Sequence, residues 1–184
     1  MKDNRIANLL MHGRVWNNED PTGWLMTEKL DGFRAFWDGS HLYSRNGNLL
    51  TVPTEFTCSF PRNVSLDGEL WGGYDTFNQL ITILRKTSDP QKIDQAELWK
   101  DIKFCVFDAP LHHGHYLERH TFASHLVVGS QTSVIPVTTC LGVQHLQSFL
   151  QQITERKGEG IMLYHPSSKY TSGRTNYLLK VKAH

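Results

Sequence analysis

The sequence predicts an α+β fold, with several antiparallel strands and helices packed outside them. Two observations point to strands: an Asp38-Gly39 turn joins short runs of alternating apolar and polar residues, and the later apolar runs are brief and rich in aromatic and branched side chains. The third points to helices, because apolar residues at helical spacing occur in separate segments between those runs.

Alternation extends from Gly23 to Lys29 and from Phe33 to Trp37, and resumes after Asp38-Gly39 over His41 to Arg45. That is a hairpin signature, since an Asp-Gly pair accepts the tight turn such a pair of strands needs. Asn46-Gly47 supplies a second turn, and Ser65 to Trp71 reads as a strand bounded by Gly72-Gly73. Phe77, Leu80, Ile81 and Leu84 share one helical face, and Asp94 to Lys100 reads as a short helix. Ile102 to Asp108, closed by Pro110, reads as a buried strand. Glu118 to Leu126 follows as a helix and Val134 to Thr139 as a strand. Val143 to Ile153 forms an amphipathic helix with Val143, Leu146, Phe149, Leu150 and Ile153 inward. Gly160 to Tyr164 and Tyr177 to Val181 are the last two strands.

A chain of 184 residues has the size of one domain, and no repeat or low-complexity linker divides it. Its formal net charge of +1 excludes a protein that coats nucleic acid through overall basicity. Any such contact must come from a local patch, because counterion release depends on the few cations that meet phosphates. Cys58, Cys105 and Cys140 form no Cys-x-x-Cys pair, which suits reduced thiols in a reducing compartment. No apolar run has the length of a membrane span, and Met1 to Met11 lacks the features of a signal peptide. The expectation is a soluble intracellular monomer, cytoplasmic or nuclear. His112, His113, His115 and His120 fit no zinc spacing and read as a polar loop with solvated imidazoles. Trp16, Trp24 and Trp99 read as packing residues.

The segment that carries chemistry is Lys29-Leu30-Asp31-Gly32-Phe33-Arg34, between the end of one strand and the start of the next. Lysine becomes a nucleophile when neighbouring positive charge or desolvation lowers its pKa. Gly32 permits a tight connection and a close backbone approach, and Arg34 is a fixed cation able to hold a phosphate in bidentate fashion. Taken alone, the hexapeptide also fits an exposed turn. Phe107 alone reads as core, Asp108 as a strand-end cap, Glu159 as a turn residue, and Lys180 with Lys182 as a solvated strand face.

Lys29-x-Asp31-Gly32-x-Arg34 resembles the signature of the covalent nucleotidyltransferases, which comprise DNA ligases, RNA ligases and mRNA capping enzymes. Further motifs of that superfamily follow in order: Ser44-Arg45-Asn46-Gly47, Leu66-Asp67-Gly68-Glu69-Leu70-Trp71, Phe104-Cys105-Val106-Phe107-Asp108, Gly158-Glu159-Gly160-Ile161-Met162-Leu163 and Leu179-Lys180-Val181-Lys182. Their order favours the functional reading of each residue. Asp20-Pro21-Thr22-Gly23-Trp24 and Ala35-Phe36-Trp37-Asp38-Gly39 look like the small bacterial DNA ligases of the Lig E type.

The resemblance implies a ligase-type nucleotidyltransferase domain, ATP-grasp-like, over residues 1–184, with antiparallel sheets meeting at a nucleotide cleft. It implies ATP as cofactor, Mg²⁺ or Mn²⁺, and nicked duplex DNA as partner. Lys29 would attack the α-phosphate and carry AMP, while Arg34, Arg45, Lys180 and Lys182 stabilise phosphate charge. Glu69 leans towards the ribose and Glu159 towards the metal, both being carboxylates suited to either task. Phe107 would stack on adenine, and the main chain at Thr27 and Glu28 would read its edge. The family's oligonucleotide-binding barrel and its sixth motif are expected to be missing. Weak reaction with ATP and poor binding to nicks follow from that expectation; the chain is then either an excised domain or a natural truncation helped in trans by a separate barrel or DNA-binding partner. RNA ligase or capping chemistry, and a silent nucleotide- or DNA-binding relative, are the alternatives.

Overall fold

The computed structural model describes residues 1–88 and 95–183. In chain order its elements are α1 (Asn4–Leu9), β1 (Met11–Val15), β2 (Leu25–Lys29), β3 (Phe33–Trp37), β4 (Leu42–Ser44), α2 (Thr54–Thr57), β5 (Leu66–Trp71) and α3 (Phe77–Thr87). Then come α4 (Gln95–Leu98), β6 (Lys103–Asp108), α5 (Tyr116–Leu126), β7 (Thr132–Val134), β8 (Val137–Thr139), α6 (Val143–Glu155), β9 (Gly160–Tyr164) and β10 (Gly173–Lys182). The start of the expected Asp94 to Lys100 helix lies outside the described residues.

The strands form two sheets, ordered β1-β10-β9-β2-β8 and β4-β3-β5-β6-β7. The Asp38-Gly39 hairpin forms as expected: β3 and β4 pair antiparallel, and Gly39 sits at φ +102°. The sheets are mixed rather than wholly antiparallel, because β1 lies parallel to β10 and β6 parallel to β7. Both parallel partners are short edge strands, delivered from distant parts of the chain.

The chain crosses between the sheets at two places that matter for function. Leu30 to Gly32 carries it from β2 in the first sheet to β3 in the second. Only glycine fits at position 32, since a Cβ there would lie 2.3 Å from the Leu70 carbonyl oxygen. The second crossing corrects the strand expected over Val134 to Thr139. It breaks at Ile135-Pro136 into β7 on one sheet and β8 on the other. Pro136 has no N–H to continue a ladder, so the chain changes sheets there.

Helices cover the outer faces. Under the second sheet, Trp37, Phe56, Leu66, Leu80, Trp99 and Phe104 form the larger core. Under the first, α6 buries Leu146 and Ile153 against Met26, Ile161, Leu163 and Leu179. Each such side chain contributes about 1.5–3 kcal/mol. Val143, expected inward, is 40% exposed at the first turn of α6. Trp99 is buried, and Trp16 and Trp24 pack against the α6 core, as packing residues should. All three cysteines are free, with Cys105 and Cys140 buried. Among the described residues, no helix is long and apolar enough to cross a membrane.

One member of the histidine segment, His120, departs from the solvated loop expected of it. His120 is 8% exposed on α5, with Nε2 2.7 Å from the Ile135 carbonyl oxygen, and His112 stacks on Phe122 at 4.0 Å. Helix α5 turns His120 inward, while His112, His113 and His115 precede that helix and are exposed. Among the described residues no group of metal ligands of this kind forms.

Candidate nucleotide site

A cleft of about 620 Å³ opens between the two sheets, next to both crossings. Lys29 ends β2 on one side, and Arg34 and Glu69 stand on β3 and β5 on the other. Thr27, Glu28, Arg45, Phe107 and Lys180 also line it. Register explains this convergence. Antiparallel pairing places Thr27, Met162 and Lys180 in one row across β2, β9 and β10, and Lys29, Gly160 and Lys182 in the next. Directly paired residues share a face, so Lys182 projects on the side of Lys29, although it is more exposed and lies beyond the cleft wall. Gly160 leaves the space between the two lysines free of any side chain.

Lys29 Nζ donates to Glu159 Oε1 at 2.5 Å, joining residues 130 positions apart. Glu28 turns its carboxylate to the Tyr74 hydroxyl, which donates to Oε2 at 2.8 Å. Glu69 is the unusual group: among the described residues its Oε2 is buried without a hydrogen-bond partner. Burial pushes its pKa up to about 8, against the pull of Arg34 and Lys29. Burial, followed by Glu159, also raises Asp31 above the usual carboxylate range. Lys180 is held below the usual lysine range, first by burial and then by the charges of Arg174 and Lys29.

Arg34, expected to hold phosphate, is engaged otherwise. Nε and Nη2 donate to Asp67 at 3.1 and 2.7 Å, and Nη2 also donates to the Met11 carbonyl at 2.8 Å. Its guanidinium lies 5.6 Å from the Phe107 ring centroid, a cation–π distance. Tyr116 donates to the Phe107 carbonyl at 2.7 Å and so fixes that backbone.

Sequence reasoning missed His12, Phe77, Ile135 and Arg174, all of which line the cleft. Arg174 adds a cation beside Arg45 and Lys180, while Phe77, Ile135 and Met162 make the apolar part of the wall. Arg174 sits in Gly173-Arg174 just ahead of the last motif, a signal that was readable. His12 lies on β1, whose pattern gave no strand.

Residues 10–182 match the ATP dependent DNA ligase domain family. A DNA ligase of Haemophilus influenzae is 32% identical over 177 residues, which is 95% of this chain and 62% of that protein. The chain thus spans under two thirds of that relative's length. A structure from a structure-function study of Lig E DNA ligases superposes with a TM-score of 0.80 at 30% identity, covering 94% of this chain and 68% of that one. A Chlorella virus DNA ligase-adenylate shares the fold, with a TM-score of 0.72 at 18% identity over 96% of this chain and 67% of its own. A lysine at the crossing between two sheets, a buried carboxylate opposite it and a matching family over nearly the whole length lead to one statement: this chain belongs to the ATP dependent DNA ligase domain family.

Proposed function

We propose that this chain takes AMP from ATP onto Lys29 and passes it to the 5′-phosphate of a DNA nick, so that the break can be sealed. The observation that carries this reading is Glu69 Oε2, buried without a hydrogen-bond partner among the described residues, in a cleft whose other walls are largely cationic and apolar. A buried polar atom without a partner costs free energy, and a ribose hydroxyl would supply the missing bond. Phe107, backed by Arg34, offers its ring to adenine, and the β2 main chain at Thr27 and Glu28 faces the base edge.

The steps balance without further reactants. Lys29 Nζ leaves Glu159, loses a proton and attacks the α-phosphorus; a P–N bond forms and the P–O bond to pyrophosphate breaks. An oxygen of the nick 5′-phosphate then attacks the same phosphorus, which breaks P–N and frees the lysine. Attack by the 3′-hydroxyl on the activated 5′-phosphate forms the phosphodiester and releases AMP. Arg45, Arg174, Lys180 and Lys182 stabilise the growing charge on phosphate oxygens. Glu159, with Glu69 and Asp31 nearby, supplies hard oxygen donors that suit Mg²⁺ or Mn²⁺ shared with phosphates. Such an ion would neutralise charge on the triphosphate.

The test is intact-mass spectrometry of the chain with Mg²⁺ and ATP, or with GTP, using Lys29→Ala as control. An AMP adduct lost in Lys29→Ala is the expected result. If no adduct forms, and a pre-adenylated DNA nick is not sealed either, the reading is wrong. Sealing of an RNA nick in preference to DNA would reassign the substrate.

A further inference from the structure

We propose that Tyr170, in the loop between β9 and β10, is a positioning residue for nucleotide binding: its hydroxyl closes a ring of hydrogen bonds that aims Arg34 at Asp67 and Phe107 and keeps it off Glu69. This rests on the adenylation reading for its consequences, although the geometry stands independently.

The ring joins four segments from both sheets. The Met11 N–H donates to the Tyr170 hydroxyl at 3.1 Å, and that hydroxyl donates to Asp67 Oδ2 at 2.5 Å. Arg34 Nη2 donates to the same Oδ2 at 2.7 Å and back to the Met11 carbonyl at 2.8 Å. Both polar groups of one backbone residue are thereby used, one by the tyrosine and one by the arginine. Tyr170 is itself held: its ring lies 5.8 Å from the guanidinium carbon of Arg119, which donates to the Ser168 carbonyl at 2.8 Å.

The ring decides between two partners for Arg34. The residue directly opposite Arg34 across β3 and β5 is Glu69, not Asp67. Asp67 and Glu69 are two apart on β5 and so share a face. An arginine between two carboxylates on one face can take either. With Tyr170 and Met11 in place it takes Asp67 in a fork, and Glu69 Oε2 is left without a partner. Loss of the Tyr170 hydroxyl strips Asp67 of one donor and Met11 of its acceptor. The guanidinium then gains freedom to swing onto Glu69, which would occupy the carboxylate proposed for the ribose and uncover Phe107.

The experiment uses the full chain as wild type, Tyr170→Phe and Asp67→Asn, with folding checked by thermal melting. The first readout is the Arg34 Nε–H signal in ¹⁵N NMR, which needs no catalysis. It is expected to shift or broaden in Tyr170→Phe and, independently, in Asp67→Asn. The second is adduct formation on Lys29, where Tyr170→Phe is expected to raise the ATP KM about tenfold, the loss of about one hydrogen bond, with a smaller change in kcat. Adding Tyr170→Phe to Arg34→Ala should then cost nothing more, because the tyrosine acts through the arginine. An Arg34 signal that moves in Asp67→Asn but not in Tyr170→Phe, or in neither, overturns the inference, as do losses that simply add. If wild type neither forms the adduct nor seals a pre-adenylated nick, the adenylation reading fails, while the Arg34 signal still decides the role of Tyr170.

Discussion

Asp67 and Asp108 are direct cross-strand partners on β5 and β6, and each is paired with an arginine of its own. Two carboxylates opposite each other destabilise a sheet unless their charge is met locally. Arg34 meets Asp67, and Arg119 meets Asp108 through Nε and Nη2 at 2.7 and 3.2 Å. The pairs sit behind Phe107, so the wall of the cleft rests on two buried ion pairs.

Arg119 is fully buried and also donates to the Gly114 and Ser168 carbonyls, at 3.0 and 2.8 Å. Arg119→Met leaves Asp108 buried beside Asp67 with its countercharge gone. The expected loss in urea unfolding is about 3–5 kcal/mol. The double variant Arg119→Met with Asp108→Asn should recover part of that, since no unpaired charge remains. A loss below about 1 kcal/mol in the single variant would contradict the account.

Phe107 is only half-buried, and its backbone is held by Tyr116 rather than by its ring. Phe107→Leu should therefore change the melting temperature little, while ATP binding measured by calorimetry weakens about five- to tenfold. That corresponds to roughly 1 kcal/mol of aromatic stacking. Equal ATP affinity in the two proteins would remove Phe107 from the base site.

Most of the strands and helices around the cleft were legible because each carried a local signal. The Asp38-Gly39 hairpin needs its glycine, and α6 shows its inward face as a 3.6-residue period. The ordered motifs single out Lys29, Arg45, Glu69, Phe107 and Lys180, and these residues line one cleft. What was not legible depends on pairing between distant segments. β1 is a strand because β10 lies beside it, not because of its own alternation, and so His12 was missed. The engagement of Arg34 by Asp67 was equally hidden. Register shows Glu69 opposite it, and only the Tyr170 loop and Met11 explain the diagonal choice.

His12 gives the pH prediction. Its Nδ1 lies 3.3 Å from Arg34 Nη1, and burial, then the charges of Arg34 and Arg45, lower its pKa to about 4 from 6.5. The folded protein thus resists a proton that the unfolded chain accepts. The stability from a neutral His12 is present above pH 6.5 and is lost as pH falls towards 4. Acid titration of other groups lowers stability too, so the comparison is with His12→Gln. The melting temperature of wild type should fall more steeply over that window, by on the order of a few °C. Parallel curves for the two proteins would show that His12 titrates normally.

Gly160 separates Lys29, the proposed nucleophile, from Lys182, and a single methyl group tests whether that spacing matters. It is the shared partner of Lys29 on β2 and Lys182 on β10. A Cβ at this position would lie 2.1 Å from the Val181 carbonyl oxygen and 3.0 Å from the Lys182 Cα. These are backbone atoms, so no rotamer change relieves the clash; β9 and β10 must move apart. Gly160→Ala should cost about 1–3 kcal/mol in unfolding, as overpacking does. The same movement carries Glu159 and the two lysines out of register, and a displacement of about 1 Å at a reacting centre costs on the order of a hundredfold. Adduct formation should accordingly fall by about that factor in a protein that still melts cooperatively. If the variant is destabilised as stated but forms the adduct at the wild-type rate, the β2-β9-β10 register does not set the geometry of the reacting lysine.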